Sequence, residues 1–136
     1  MSESPPTQLR TGTPILTVGD IQASIGWYTD ILGLELAQEW KTDSGEVMGA
    51  TLTAGGLDFN LAQDDFAKGK DRVKGVGLRL YCETDQDVDQ LAADIKGRGG
   101  SLDHEPTTQP WGARDFGITD PDGFKISIAN PQSAGA

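Results

Sequence analysis

A single cysteine, Cys82, excludes an intrachain disulfide. It sits in an apolar strand pattern with no cation beside it, which reads as a buried, inert thiol. Histidine is equally scarce: His104 stands alone, on a predicted edge strand, without an identifiable acid partner to make it a general base. No apolar run approaches the roughly 20 residues of a membrane-spanning helix. Residues 1–11 are polar, hold two prolines and lack a signal-peptide core, so a cytoplasmic location is expected. Positive charge is also short: 11 Lys and Arg face 21 Asp and Glu, a net charge of −10. Such a surface repels phosphate backbones and anionic membranes, so neither nucleic acid nor membrane is expected as a partner. It would draw a cationic ligand weakly and in a salt-dependent way; solubility is the plainer reading.

What is present fits one compact domain. The chain has 136 residues, 36% hydrophobic and 24% charged, enough for a real core. Its 18 glycines follow no period and read as turn residues. Residues 1–12 read as a flexible arm and 131–136 as a tail. Between them a single domain, 13–130, divides into modules at about 13–63 and 76–130. The stretch 64–75 is charged and aperiodic, a linker.

Each module shows the same order of signals. In the first, Pro14 to Val18 is a strand and Asp20 suits a helix N-cap. Ile21, Ile25, Tyr28 and Leu32 recur at helical spacing up to Gly33. Strands follow over Leu36 to Thr42, Val47 to Ala54 and Leu57 to Ala62, the last two joined at Gly55-Gly56. In the second, Gly77 to Glu83 alternates as a strand. Asp85 or Asp87 caps a helix carrying Val88, Leu91, Ala92 and Ile95. Strands over Ser101 to Glu105, Arg114 to Thr119 and Phe124 to Ala129 follow, the last two joined by the turn Asp120-Pro121-Asp122-Gly123. The fold class is therefore α+β: two tandem βαβββ modules forming a curved mixed sheet, with helices outside and a concave ligand cleft.

The opening Pro14-Ile15-Leu16-Thr17-Val18-Gly19-Asp20, with Ser24, Trp27-Tyr28 and Leu32-Gly33, resembles that of the vicinal oxygen chelate superfamily of glyoxalase I, extradiol dioxygenases and bleomycin resistance proteins. Gln109-Pro110-Trp111-Gly112-Ala113-Arg114-Asp115-Phe116, with Asp120-Pro121-Asp122-Gly123, is similar to the closing motif of its bleomycin-resistance-like branch. The resemblance implies four metal-ligand positions in metal-dependent members. On this chain they fall at about Thr13, Asn60, Gly77 or Arg79, and Ser127, none of them His, Glu or Asp. It therefore implies a metal-independent member with no cofactor, one that binds a small molecule and sequesters an antibiotic or aromatic metabolite. The alternative is a lyase, isomerase or dioxygenase that binds a metal through non-standard ligands. A third reading is a non-catalytic interaction module.

Strand alternation assigns the faces. Leu57, Phe59 and Leu61, then Leu78, Leu80 and Cys82, then Phe124, Ile126 and Ile128 point to the core. Asp58 and Asn60, then Arg79, Tyr81 and Glu83, then Lys125, Ser127 and Ala129 face the cleft. The candidate ligand-binding residues are Trp111, Asn60, Tyr81, Arg79, Ser127, Trp40 and Arg114. Trp111 and Trp40 offer aromatic walls, or else packing. Arg114 could hold an anion, or be a surface charge. An inward Arg79 needs a counter-ion, and Asp58 or Glu83 is the plain partner. Trp27 is expected to pack against the sheet or a partner. Exposed sheet edges, and the habits of the family it resembles, point to a homodimer.

Overall fold

Each half of the chain folds as strand, helix and three strands. The structure, a computed structural model, describes residues 4–131. Residues 1–3 of the expected arm and 132–136 of the expected tail lie outside the described residues. Residues 4–14 form neither helix nor strand.

In the first module, β1 (Ile15–Val18) leads to α1 (Ile21–Gly26). Asp20 caps it, with extended backbone and a carboxylate that accepts from Ala23 N–H at 3.2 Å. The helix continues as a wider π turn, Trp27–Ile31, where Leu32 N–H reaches back five residues to the Trp27 carbonyl. Gly33, at φ +88°, ends it as its place in the sequence suggests. β2 (Glu35–Lys41), β3 (Val47–Ala54) and β4 (Leu57–Gln63) follow.

In the second module come β5 (Arg79–Glu83), α2 (Val88–Gly97), β6 (Leu102–Thr108), β7 (Arg114–Thr119) and β8 (Lys125–Asn130). Asp87, rather than Asp85, caps α2 by accepting from Asp89 and Gln90 N–H. β5 starts two residues later than expected, because Gly75 and Gly77 both take left-handed backbone and turn the chain before it can extend. Leu78, read as core, is therefore 47% exposed. β6 runs three residues beyond its expected end.

The ladders divide into two four-stranded mixed sheets, ordered β1-β4-β3-β2 and β5-β8-β7-β6. In each, the first and last strands of the module pair in parallel and the rest antiparallel. The curved sheet expected from the sequence is thus built in two halves. The core faces behave as alternation requires: Phe59, Leu61 and Ile126 are each 2% exposed or less. Side chains from both modules, among them Leu16, Tyr28, Leu52, Ile95, Phe116 and Ile118, meet in one hydrophobic cluster.

Where no ladder joins the modules, buried polar groups do. Asp120, in the β7–β8 turn, accepts from Asp122 and Phe124 N–H with one oxygen and from the Tyr28 hydroxyl at 2.7 Å with the other. Asp122 accepts from Gly19 N–H at 2.8 Å and from Ser24 at 3.3 Å. The segment 64–75, expected to be a plain linker, is clipped to the same place. Asp64 takes Lys74 at 2.9 Å and Arg72 at 3.5 Å, and Lys74 also lies 3.7 Å from Asp122. Burial holds the Tyr28 hydroxyl far above its usual range, helped by the Asp120 charge. Burial also raises the Asp120 carboxyl, against the pull of its hydrogen bonds. No buried side-chain polar atom among the described residues lacks a partner, so this seam meets the cost of burying polar groups.

Candidate functional site

The strand registers decide which side chains share the face of each sheet that lies away from the core. On the first sheet, Ile15 pairs with Asn60, Asn60 with Thr51, and Trp40 with Gly49. Thr51 donates to the Asn60 amide oxygen at 2.8 Å. Trp40 is 44% exposed and lies across Gly49, where a Cβ would come 2.9 Å from its ring. Glycine at 49 is thus what lets the indole lie over β3, a support that the sequence pattern gave no reason to single out. Ile15, 68% exposed, stands beside Asn60 on this mixed face.

On the second sheet, Arg79 lies opposite Lys125, and Tyr81 opposite Ser127. Ser127 lies opposite Gly117, and Gly117 opposite His104. Arg79 is not paired with Asp58 or Glu83, as expected. Its Nη1 donates instead to Ser127 Oγ at 3.0 Å, and among the described residues no carboxylate lies within ion-pair distance. His104 does have an acid partner after all. Its Nε2 lies 3.0 Å from Oδ1 of Asp115, a buried carboxylate that also accepts from Gln109 at 2.8 Å. The partner sits 11 positions away and is brought close by the β6–β7 pairing, which no local spacing reveals. A Cβ at Gly117 would meet the His104 ring at 2.8 Å, so this glycine makes room for the imidazole.

The seven candidate residues therefore divide. Asn60 and Trp40 share the first sheet's open face; Arg79, Tyr81 and Ser127 share the second's. Trp111 stands 58% exposed at the β6–β7 turn. Arg114 lies on the other face of its sheet and clamps Asp89 of α2 through two bonds of 2.8 Å, which hold the Asp89 carboxyl below its usual range. Cys82 is half-buried on the core side, and burial pushes its thiol up. Trp27 meets Tyr28 edge-on at 4.8 Å.

A cleft of about 1060 Å³ runs between the modules on their core sides. Leu34, Leu57, Phe59 and Ile128 are among its apolar walls, and Glu35 and Glu83 among its charged ones. None of the seven candidates lines it. Alternation marks Phe59 and Ile126 only as core, so a gap left between two packed modules has no signature in either strand. Tyr81 lines a smaller hollow of about 580 Å³ beside it, with Ala54, Gly56, Leu57, Cys82 and Glu83.

The four positions implied for metal ligands do not fit a divalent ion. They offer a hydroxyl at Thr13, an amide at Asn60, Gly77 or the guanidinium of Arg79, and a hydroxyl at Ser127 that already accepts from Arg79. Among the described residues no group of three His, Cys, Asp or Glu could hold a metal. Two four-stranded mixed sheets with parallel outer pairs, one helix to each, are the decisive architecture. Residues 10–128 match the family model for the Glyoxalase/Bleomycin resistance protein/Dioxygenase superfamily. The chain belongs to this superfamily. Within the glyoxalase/bleomycin resistance/dioxygenase group, it is similar to a probable lactoylglutathione lyase of Synechocystis, 28% identical over 88% of this chain and 93% of that one. It is also similar to a lactoylglutathione lyase of Arabidopsis thaliana, 24% identical over 84% of this chain. The chain spans only 41% of that protein's length. Among solved structures it is similar to TnmS3, an antibiotic-binding protein from Streptomyces sp. CB03234, at TM-score 0.68 and 25% identity, covering 92% of this chain and 98% of that one.

Proposed function

We propose that the protein is a metal-independent binding protein for a planar aromatic small molecule, sequestering an antibiotic or aromatic metabolite. The observation that carries this is the make-up of the open sheet faces. Large aromatic side chains stand exposed there beside hydrogen-bonding groups, at positions where donors for a metal are missing. Trp40 and Tyr81 offer π-faces, while Asn60, Ser127 and Arg79 offer orientation. The likeness to an antibiotic-binding protein supports it. Two chains pairing as a homodimer would cover these faces and enclose the ligand. No helix among the described residues is long and apolar enough to cross a membrane.

Titration with a panel of planar aromatic compounds, followed by tryptophan fluorescence and thermal shift, tests the reading. Quenching that disappears in Trp40→Phe or Trp111→Phe is expected; ligands that stabilise the protein without touching either signal would place binding in the inter-module cleft instead. Light scattering should give twice 14.4 kDa; a monomer at working concentration would remove the homodimer.

One observation favours a second reading, an enzyme of the same superfamily. A histidine oriented by a buried carboxylate is an arrangement able to move a proton. The lactoylglutathione lyases among its relatives point the same way. Metal analysis of the purified protein and an assay for lactoylglutathione lyase activity, with and without added nickel or zinc, separate the two.

A further inference from the structure

We propose that Arg79 and Lys125 form an anion site on the open face of the second sheet, and that the ligand is an aromatic acid whose carboxylate docks there. This rests on the small-molecule reading above and names its ligand class. The net charge of −10 suggests the opposite preference, so the local arrangement has to outweigh the global one.

Arg79 and Lys125 lie directly opposite each other in the parallel β5–β8 pair, and both are exposed. Like charges in that relation destabilise a sheet. The usual remedy is a carboxylate, and this chain has 21 of them to 11 basic residues. Five of the other nine basic residues, Lys41, Arg72, Lys74, Lys96 and Arg114, have an acidic partner within 4.0 Å. Among the described residues, neither Arg79 nor Lys125 has one; what sets them apart is that two unpaired cations stand side by side. The carboxylates that share the face are engaged or displaced. Asp115 is tied to His104 and Gln109, Asp103 accepts from Thr119 at 2.6 Å, and Glu83 stands at the far end of β5.

The guanidinium is also aimed. Its bond to Ser127, a residue only 4% exposed, uses one of five N–H donors and fixes the group against the sheet. The remaining donors suit a carboxylate, to which Arg donates in a bidentate fork and which Lys attracts as a point charge. Tyr81 follows on the same strand and face, about 7 Å along, and is 48% exposed. Tyr81 lies opposite Ser127, so its ring stands beside the guanidinium bonded there, where an aromatic acid can lay its ring while its carboxylate meets the cations. Glu83, one step further on the same face, repels the carboxylate and so gives the ligand a direction.

Three probes of one shape test this by isothermal titration: 2-naphthoate, neutral 2-naphthamide and cationic 2-naphthylmethylamine. The expected order is naphthoate, naphthamide, amine, with naphthoate preferred over naphthamide by about tenfold at low salt. That preference should shrink in 1 M salt, where screening acts within about 3 Å. In Arg79→Gln/Lys125→Gln the ratio of the two affinities should fall to about one, with circular dichroism confirming the fold; Lys125→Glu, at an exposed position, should do the same should the double variant misfold. Equal binding of naphthoate and naphthamide by the native protein overturns the anion site and leaves the small-molecule reading standing. A naphthoate preference that survives either variant overturns it as well. No binding of any probe, with no thermal shift from the wider aromatic panel, overturns both.

Discussion

The seam between the two modules and the open faces of the two sheets use similar residues to opposite ends. At the seam, Tyr28, Ser24, Asp64, Lys74, Asp120 and Asp122 are spent on one another, and Asp120 alone accepts three hydrogen bonds. On the open faces, Arg79 gives one bond to Ser127 and keeps donors in reserve, and Tyr81, Trp40 and Ile15 stay exposed. Groups with every bond committed hold a fold together; groups with bonding capacity left over can hold something else. Substitutions at the seam should therefore cost stability and spare binding, and those on the faces should do the reverse.

The largest effect is expected from Asp120→Ala, which strands a buried tyrosine hydroxyl and two backbone N–H groups. A loss of about 3 kcal/mol in urea unfolding is expected; a loss below about 1 kcal/mol would mean that water can replace the carboxylate and that the seam is less closed than its hydrogen bonds imply. Gly75→Ala comes next. A Cβ there meets the Gly123 carbonyl, and the backbone is left-handed at φ +79°. About 2 kcal/mol should be lost. Trp40→Ala tests the other side of the comparison: about 1 kcal/mol of stability should be lost with the ring's contact on β3, while affinity for planar aromatic ligands falls in the same fluorescence titration.

Acid separates two carboxyls of the seam. The hydrogen bond from Lys74 is the main cause that lowers the Asp64 carboxyl below its usual range. Its contribution is full above the unfolded value, about 3.9, and is lost as pH falls through the lowered folded value. Asp64→Asn should thus be less stable than the native chain at neutral pH, with the gap closing only in strong acid. Asp120 runs the other way, since burial raises it: its ionised form opposes folding at neutral pH, and that opposition lifts as pH falls through the raised folded value. The smallest effect is expected from Arg114→Gln. Its partner Asp89 is exposed and well screened, so the melting midpoint should not move measurably.

Much of the fold was legible because both periodicities are clean. Val47 to Ala54 and Arg114 to Thr119 read directly as strands, and Phe59, Leu61 and Ile126 fell on the buried face that alternation assigned. The boundary of β5 was missed because Gly77 is as compatible with a strand as with the left-handed turn it makes. The site was legible only in part. Alternation correctly put Arg79, Tyr81 and Ser127 on one face, yet it could not choose their partners. The bond from Arg79 to Ser127 spans 48 positions and that of His104 to Asp115 spans 11; both depend on strand register, which periodicity does not fix. The inter-module cleft depends on how two finished modules meet.

The clip at Asp64 has a bearing on assembly. A chain could, in principle, lend its second half to a neighbour and receive the neighbour's in return. Before it can do so, the peptide from Asp64 to Gly75 must straighten, which means breaking the contacts of Lys74 with both Asp64 and Asp122 and pulling Gly75 away from Gly123. Exchange of halves is thereby opposed at its hinge.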